Sequence, residues 1–175
     1  MGSVISLHHL QRIDKMVKRA KNAGSKILAG GERLFGQSEI DDFSFSKGAF
    51  YPPTVITDVT IEDEIWKEEV FGPVVVVKRF SVSVLDLKIF TTKQTFFSQR
   101  TQDEAEGISL ANSCKYGLGA GIWTMDLSRA HRVAAEIQAG LCWVNTHHRN
   151  DPSSPWCETI FSTFHSRAKG GFFLS

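Results

Sequence analysis

The segment EEVFGPV at residues 68–74 constrains the fold more than any other part of the chain. Gly72 and Pro73 predict a turn, because glycine relaxes the backbone limits and proline fixes φ at the entry to a strand. The valine run at 74–77 then predicts a strand that is buried on both faces, as in a parallel sheet. Glu69 and Phe71 are thereby placed on a loop at the end of a strand.

Two interpretations of Glu69 and Phe71 follow from this placement. The carboxylate of Glu69 can accept hydrogen bonds from a sugar diol, and the ring of Phe71 can lie against a heterocycle. Alternatively, the two glutamates are merely exposed and Phe71 fills the core. The segment by itself leaves both interpretations open.

Length, charge and cysteine content limit the class of protein. The 175 residues are 42% hydrophobic, which is ordinary for a globular domain with a real core. The 20 basic residues balance 19 acidic ones, so charge makes no case for nucleic acid or a membrane surface as partner. No apolar run has the length of a transmembrane helix or secretory signal.

The three cysteines, Cys114, Cys142 and Cys157, are odd in number and show no CxxC spacing. This pattern favours a reducing compartment and argues against a disulfide framework or a metal site. We therefore expect a cytoplasmic protein.

Apolar spacing and turn residues predict alternating helices and strands. The predicted helices cover 6–23, 103–114 and 127–138, and the predicted strands cover 26–28, 51–56, 74–77, 119–124 and 141–145. Strands separated by helices predict an α/β fold, a largely parallel sheet flanked by helices. The prolines at 52 and 53 favour an edge position for the strand at 51–56.

Further motifs occur in the order that one enzyme family shows. They are MGSVIS at 1–6, the stretch from AK to AGG at 20–31, FYPPTV at 50–55, LAN at 110–112, YGLGAGIWT at 116–124, residues 126–133, QAGLCWVN at 138–145 and DPSSPW at 151–156. Together with EEVFGPV, they resemble the C-terminal part of the catalytic domain of the NAD(P)-dependent aldehyde dehydrogenases. The resemblance covers residues 1–156 and implies part of one α/β catalytic domain.

Residues 82–102 depart from the family's pattern. They separate a strand from a helix that the family connects almost directly, and their deletion restores the usual spacing. Val82-Ser83 can be encoded by a splice-donor sequence, and 96–99 by a pyrimidine-rich tract ending in CAG. We interpret the segment as a retained intron, with a lineage-specific surface loop as the alternative. We expect it to lie outside the sheet, so that its deletion preserves folding.

A second departure follows Trp156. The family continues with Gly-Gly and a segment leading to a strand in a partner subunit's sheet, whereas residues 157–169 intervene here before a Gly-Gly pair. We assign 157–175 to an aberrant tail, which a second misread segment would explain.

The resemblance implies the chemistry of aldehyde oxidation. In the family a cysteine thiolate attacks the aldehyde, hydride passes to NAD or NADP, and a glutamate-activated water hydrolyses the thioester. By resemblance, that cysteine, that glutamate and the dinucleotide-binding domain precede residue 1. No base is identifiable near any of the three cysteines, so no catalytic residue is assigned and we expect the chain alone to be inactive.

The resemblance also implies cofactor-binding residues. Glu69 matches the residue that binds the ribose next to nicotinamide, and Phe71 matches the ring that packs against that ribose. Arg12 falls where a basic residue often lies near the adenosine ribose. His9 stands where the family usually has glutamine, so its contact is not carried over.

On the substrate side, four residues match the strand end and loop that face the aldehyde in the family: Asn145, His148, Asn150 and Trp156. An indole beside polar groups favours an aromatic or polar-substituted aldehyde. An ordinary exposed loop is the alternative.

Two hypotheses about function are consistent with this resemblance. The chain is a fragment of an aldehyde-oxidising enzyme, whose intact family members are homo-oligomers. Alternatively, it is a non-catalytic interaction module that associates with intact subunits.

Overall fold

A computed structural model describes residues 1–78, 87–91, 95–98, 104–113, 115–147, 149 and 172–174. The chain divides into two compact units, Met1–Val77 and Lys78–Ser175. Each unit contains helices and strands of its own, and the two are described in turn.

The first unit contributes three strands that pair in the order β1–β2–β3. In chain order its elements are α1 (Leu7–Asn22), β1 (Lys26–Ala29), a short 3-10 helix (Phe45–Lys47), β2 (Thr54–Thr57), α2 (Glu64–Lys67) and β3 (Val74–Lys78). β1 is antiparallel to β2, and β2 is parallel to β3. β2 is therefore central, and the expectation of an edge strand at 51–56 is wrong, because the two prolines precede the paired residues instead of interrupting them.

Helix α1 follows its predicted bounds closely. It begins where the Ser6 hydroxyl accepts a hydrogen bond of 3.1 Å from the backbone N–H of His9. One face is buried and consists of Leu10, Ile13, Met16, Val17 and Ala20. Gly24, at φ +103°, follows the helix end in a conformation that favours glycine.

Strand β3 is buried on one face only. Val74 and Val76 are 2% exposed, whereas Val75 and Val77 are half-buried. The valine run thus predicted a strand correctly but not burial of both its faces, since a β-branched run suits a pleated surface with either degree of cover.

The second unit contributes five strands that pair in the order β5–β4–β6–β7–β8. Its elements are β4 (Leu87–Thr91), β5 (Thr95–Ser98), α3 (Glu104–Asn112), β6 (Gly119–Thr124), α4 (Leu127–Glu136), β7 (Leu141–Val144) and β8 (Phe172–Leu174). β4 is antiparallel to both β5 and β6, and β7 is parallel to both β6 and β8.

The predicted α/β class is confirmed, and the strand pairing is a mixture of parallel and antiparallel. The strands joined through a helix, β2 with β3 and β6 with β7, pair in parallel, as crossover connections require. The antiparallel pairs involve β1 and the β4–β5 hairpin, so "largely parallel" describes only part of the pairing. The hairpin escaped prediction because the segment 82–102 that contains it was expected to lie outside the sheet.

Part of segment 82–102 lies inside the sheet, which corrects the expectation of an excursion outside it. β4 pairs along its length with β6, and the side chain of Ile89 has 0% exposure. The residues LKIFT and TFFS are rich in β-branched and aromatic types, which suit strands. The retained-intron origin of the segment stays a prediction.

The ends of α3 and α4 are joined by side chains. Asn112 donates to the carbonyl of Glu136 at 2.9 Å and accepts from the backbone N–H of Gln138 at 2.8 Å. Glu104, at the other end of α3, accepts from Arg129 at 3.0 Å and from Arg132 at 2.6 Å. These contacts set the two helices side by side.

The tail assigned to 157–175 contributes a strand among its described residues. β8 pairs in parallel with β7, from Cys142 beside Phe172 to Val144 beside Leu174. The aberrant origin of the tail stays a prediction, but residues 172–174 extend the sheet.

Candidate functional site

The turn at 68–73 presents one aromatic ring to solvent. Val70 is 3% exposed and fills the core, whereas Phe71 is 68% exposed. The interpretation in which Phe71 fills the core is therefore wrong. Phe71 has φ +54°, a left-handed conformation that costs a non-glycine residue about 1–2 kcal/mol.

Backbone hydrogen bonds hold both ends of this turn. At its start the N–H of Glu68 donates to the carbonyl of Glu64 at 2.8 Å. At its end the carbonyl of Pro73 accepts from Thr54 at 2.8 Å, and the N–H of Val74 donates to the carbonyl of Gly72 at 2.7 Å. The turn is thus fixed to α2 on one side and to β2 on the other.

Helix α1 supports the middle of the turn. The Nε2 atom of His9 lies 2.6 Å from the carbonyl oxygen of Phe71, and the two rings meet edge to face at 6.3 Å. At Gly72 an added Cβ would lie 2.5 Å from Cδ1 of the buried Ile13. The sequence did not predict a contact for His9, because the family usually has glutamine at this position. Its spacing of four residues from Ile13 was the available clue, since such residues share a helix face.

The other two predicted cofactor residues lie in the same unit. Glu69 is half-buried and directly precedes the buried Val70 in the turn. Arg12 is exposed on α1, three positions after His9, and therefore on the same side of the helix. Glu69 and Phe71 are thus close together in the turn, and Phe71 contacts α1 through His9.

In the second unit Asn145 ties together the ends of two parallel strands. Its Oδ1 accepts from the backbone N–H of Thr124, and its Nδ2 donates to the Thr124 carbonyl, each at 3.0 Å. Its own N–H donates to the carbonyl of Ile122 at 2.7 Å, and its φ is +55°. Both polar groups of this side chain therefore bind the end of β6, a structural use that the sequence did not predict.

The residues after Asn145 contact two tryptophans. The ring of the exposed His147 lies 5.4 Å from that of Trp143 and 6.4 Å from that of Trp123. The indole N–H of the buried Trp143 donates to the carbonyl of Arg149 at 2.9 Å. The other predicted substrate-loop residues, His148, Asn150 and Trp156, lie outside the described residues.

Cys142 lies in β7, within the strand predicted at 141–145, and is half-buried. Burial raises the pKa of its thiol to about 12. A thiol with so high a pKa is protonated at neutral pH, which is the reverse of what a nucleophile needs. Cys114 and Cys157 lie outside the described residues.

Metal-binding clusters and membrane-spanning helices are both missing from the described part of the chain. No group of three or more histidine, cysteine, aspartate and glutamate side chains there is placed to hold a metal ion. No described helix is both long and apolar enough to cross a membrane.

Comparison with known proteins identifies the family of this chain. The family model described as "Aldehyde dehydrogenase family" matches residues 1–86 and 97–170. The chain belongs to the aldehyde dehydrogenase family. The match omits residues 87–96, inside the segment assigned to a retained intron, and it includes most of the tail assigned to 157–175.

Two plant relatives illustrate the similarity in sequence. Aminoaldehyde dehydrogenase 2, peroxisomal, is 36% identical in Malus domestica and 38% identical in Pisum sativum, each over 156 residues. In both cases the alignment covers 89% of this chain and 25% of the relative. The chain therefore spans about a quarter of the length of these curated relatives.

Solved structures share the fold. The NAD+ complex of the enzyme from Bacillus cereus matches with a TM-score of 0.68 at 32% identity, covering 89% of this chain and 26% of that one. HpcC from Thermus thermophilus matches with a TM-score of 0.70 at 31% identity, covering 91% and 27%. The resemblance inferred from the motifs is thereby confirmed, and with it a family that uses NAD or NADP.

The side chains of the turn suit part of such a cofactor. A carboxylate such as Glu69 accepts hydrogen bonds from a ribose diol, and the exposed ring of Phe71 offers an apolar surface for a sugar or a heterocycle. The chemistry of these two groups therefore fits a ribose of NAD(P) and the heterocycle attached to it.

Proposed function

We propose that this chain is part of an oxidoreductase that oxidises aldehydes to carboxylic acids with NAD(P)+. Its own contribution is one wall of the cofactor site. The observation that carries this proposal is the outward-facing ring of Phe71, held beside Glu69 on a turn that is bonded at both ends.

Each residue has a separate part in this wall. Glu69 accepts hydrogen bonds from the ribose next to nicotinamide, and Phe71 packs against that ribose, while Arg12 lies near the adenosine ribose. When bound, NAD(P)+ supplies the acceptor for the hydride. A turn held in one conformation before binding reduces the entropy lost on binding, which is the main benefit of preorganisation.

On the substrate side we propose that Asn145 positions the loop that follows it, and that residues of this loop contact the aldehyde. The two hydrogen bonds of Asn145 to Thr124 hold the strand end from which the loop departs. We propose that His148, Asn150 and Trp156 contact the aldehyde. Because the relatives in apple and pea are named aminoaldehyde dehydrogenases, amino aldehydes belong among the candidate substrates beside aromatic ones.

The 175 residues alone are expected to lack turnover. No thiolate is available at Cys142, and without a covalent intermediate positioning alone does not release hydride. NAD binding to the isolated chain should be undetectable or millimolar, about 4 kcal/mol or weaker. NADH formation is measured with aliphatic, aromatic and amino aldehydes. Turnover above the blank that disappears on replacing Cys114, Cys142 or Cys157 would contradict this expectation.

A chimera tests the positive part of the proposal. Residues 1–156 replace the matching part of the pea relative, which supplies the remaining three quarters of the enzyme. Turnover is expected, and Glu69→Gln should raise the KM for NAD roughly tenfold to a hundredfold, the loss of about 1.5–3 kcal/mol of charged hydrogen bonding.

Glu39→Gln is the matched control, because Glu39 is exposed in a loop. An active chimera in which Glu69→Gln and Glu39→Gln have the same KM for NAD would reject the ribose assignment of Glu69.

The interaction module stays as a second candidate because several large apolar side chains are exposed in the first unit. Ile40 is 96% exposed, Phe35 68% and Leu28 56%. Apolar surface of this kind promotes association. We expect the isolated chain to aggregate or to require a partner, and the intact enzyme to be a homo-oligomer. A monomer of 19.5 kDa by sedimentation, with a cooperative melt, would argue against the module.

The cytoplasmic location is likewise a proposal. It rests on the cysteine pattern, whereas the relatives in apple and pea are named peroxisomal. Fluorescence microscopy of the tagged chain distinguishes the two compartments.

A further inference from the structure

We infer that His9 is a positioning residue for the cofactor: it holds the Phe71 carbonyl and so keeps the Phe71 ring directed outward. The inference rests on the proposed function of the turn and identifies what sets its conformation. His9 belongs to α1 and lies 62 positions from Phe71 in the chain.

The contact joins an otherwise unfavourable backbone conformation to a rigid helix. Phe71 has φ +54°, which persists only where surrounding contacts favour it. The His9 Nε2 atom lies 2.6 Å from the Phe71 carbonyl oxygen, and a carbonyl oxygen can only accept, so Nε2 carries the proton. The hydrogen bond therefore stabilises the backbone of Phe71, the residue with the unfavourable φ.

The position of the imidazole is itself determined by the first turn of α1. The backbone N–H of His9 donates to the Ser6 hydroxyl at the helix start. One helical turn later, the buried Ile13 contacts the turn at Gly72. Ser6 thus fixes the start of the helix, His9 binds the Phe71 carbonyl, and Ile13 supports the next residue.

The same contact shapes the surface that a cofactor meets. The rings of His9 and Phe71 are nearly perpendicular, at 85°, with centroids 6.3 Å apart. Edge-to-face packing leaves a face of the Phe71 ring available to a planar ligand while restricting its rotation. Loss of the imidazole releases both the carbonyl and the ring, although neither group of the turn is altered chemically.

The test uses the full chain and compares His9→Ala, His9→Gln and His8→Ala. Glutamine keeps an N–H donor at similar reach, and His8 is exposed beside His9 on the same helix, so it is the matched control. Hydrogen exchange is followed by mass spectrometry in peptides covering 68–74 and α1, without NADH in the full chain and with NADH in the same variants of the chimera with the pea relative, because the isolated chain is expected to bind the cofactor weakly at most. This readout applies equally to a monomer and to an assembly.

Without NADH, His9→Ala should speed exchange in 68–74 about tenfold, which corresponds to about 1.4 kcal/mol, and leave α1 protected. His9→Gln should restore most of the protection, and His8→Ala should match the original chain. Equal exchange in His9→Ala and His8→Ala overturns the inference, as does a loss of protection throughout α1.

The arm with NADH separates this inference from the proposed function. We expect NADH to protect 68–74 in the unsubstituted chimera and in its His8→Ala and His9→Gln variants, and to protect it several-fold less in its His9→Ala variant. If NADH protects none of the four proteins, the cofactor assignment of the turn fails, while the measurements without NADH still judge whether His9 positions it. Equal protection in all four overturns the role of His9 toward the cofactor.

Discussion

Ile89 of β4 pairs with Ile122 of β6, and neither side chain has any exposed surface. The pair connects the segment 82–102, which interrupts the family's pattern, to a strand that carries a family motif. Because cores are closely packed, a fully buried side chain in the segment makes it part of the structure of the second unit.

Ile89→Ala should therefore lower the free energy of unfolding by about 2–5 kcal/mol, the usual cost of removing a buried aliphatic side chain. Ile40→Ala is the matched control, since Ile40 is 96% exposed, and it should change the stability little. Urea denaturation followed by circular dichroism measures both. Equal midpoints for the two variants would show that Ile89 contributes no packing energy.

Deletion of residues 82–102 should destabilise the second unit. The deletion removes β4 and β5. It leaves the edge of β6 that pairs with β4 unpaired and removes Ile89, the neighbour of Ile122. Unpaired strand edges and exposed apolar side chains also promote association. This reverses the expectation drawn from the family's spacing. A thermal melt at an unchanged or higher temperature after deletion would instead favour a segment that the fold does not need.

Replacement of Asn145 should separate backbone strain from hydrogen bonding. Asn145→Gly keeps an easy left-handed φ but loses both bonds to Thr124, whereas Asn145→Ala loses the bonds and suffers the strain. We expect stability to fall from Asn to Gly to Ala, by about 1–3 kcal/mol in total. Chemical denaturation gives the order, and an alanine variant as stable as the glycine variant would remove the strain argument.

Glu104 should make stability depend on pH in the acidic range. The hydrogen bond from Arg132 lowers the pKa of Glu104 below its ordinary value of 4.5, against the opposing effect of burial, and Arg129 adds to the lowering. A depressed pKa contributes stability that is present above 4.5 and is lost as the pH falls through the folded-state pKa.

Glu104→Gln should accordingly be less stable than the original chain at pH 7, and the difference should shrink as the pH falls below 4.5. Glu106→Gln, on the exposed side of the same helix, is the control. Unfolding free energies measured across this range test the sign. A difference between Glu104→Gln and the original chain that stays constant with pH would contradict the ion-pair account.

Cys142 should react slowly with thiol reagents. Burial raises the pKa of its thiol to about 12, so the thiolate that attacks such reagents is scarce at neutral pH. Alkylation by iodoacetamide at pH 7, mapped by mass spectrometry, should label Cys142 readily in guanidinium and little in the folded chain. Rapid labelling of Cys142 in the folded chain would show that β7 opens or that the thiol is activated.

Elements whose patterns are local could be predicted from the sequence alone. Helix α1, the turn at Gly72 and Pro73 and the strand at Gly119–Thr124 follow from helical spacing, turn chemistry and runs of strand-forming residues. The family followed from motif order, because several motifs in register cannot be produced by the hydrophobic pattern alone.

The positions of the side chains of these elements emerge only in the folded chain. Whether Phe71 or Val70 fills the core depends on the left-handed φ of Phe71 and on its bond to His9, a residue distant in the chain. The entry of Ile89 into the sheet depends on pairing with β6, and the use of the Asn145 amide depends on the end of the same strand. Local propensity contains no information on such contacts, because their energy exists only once distant parts of the chain have met.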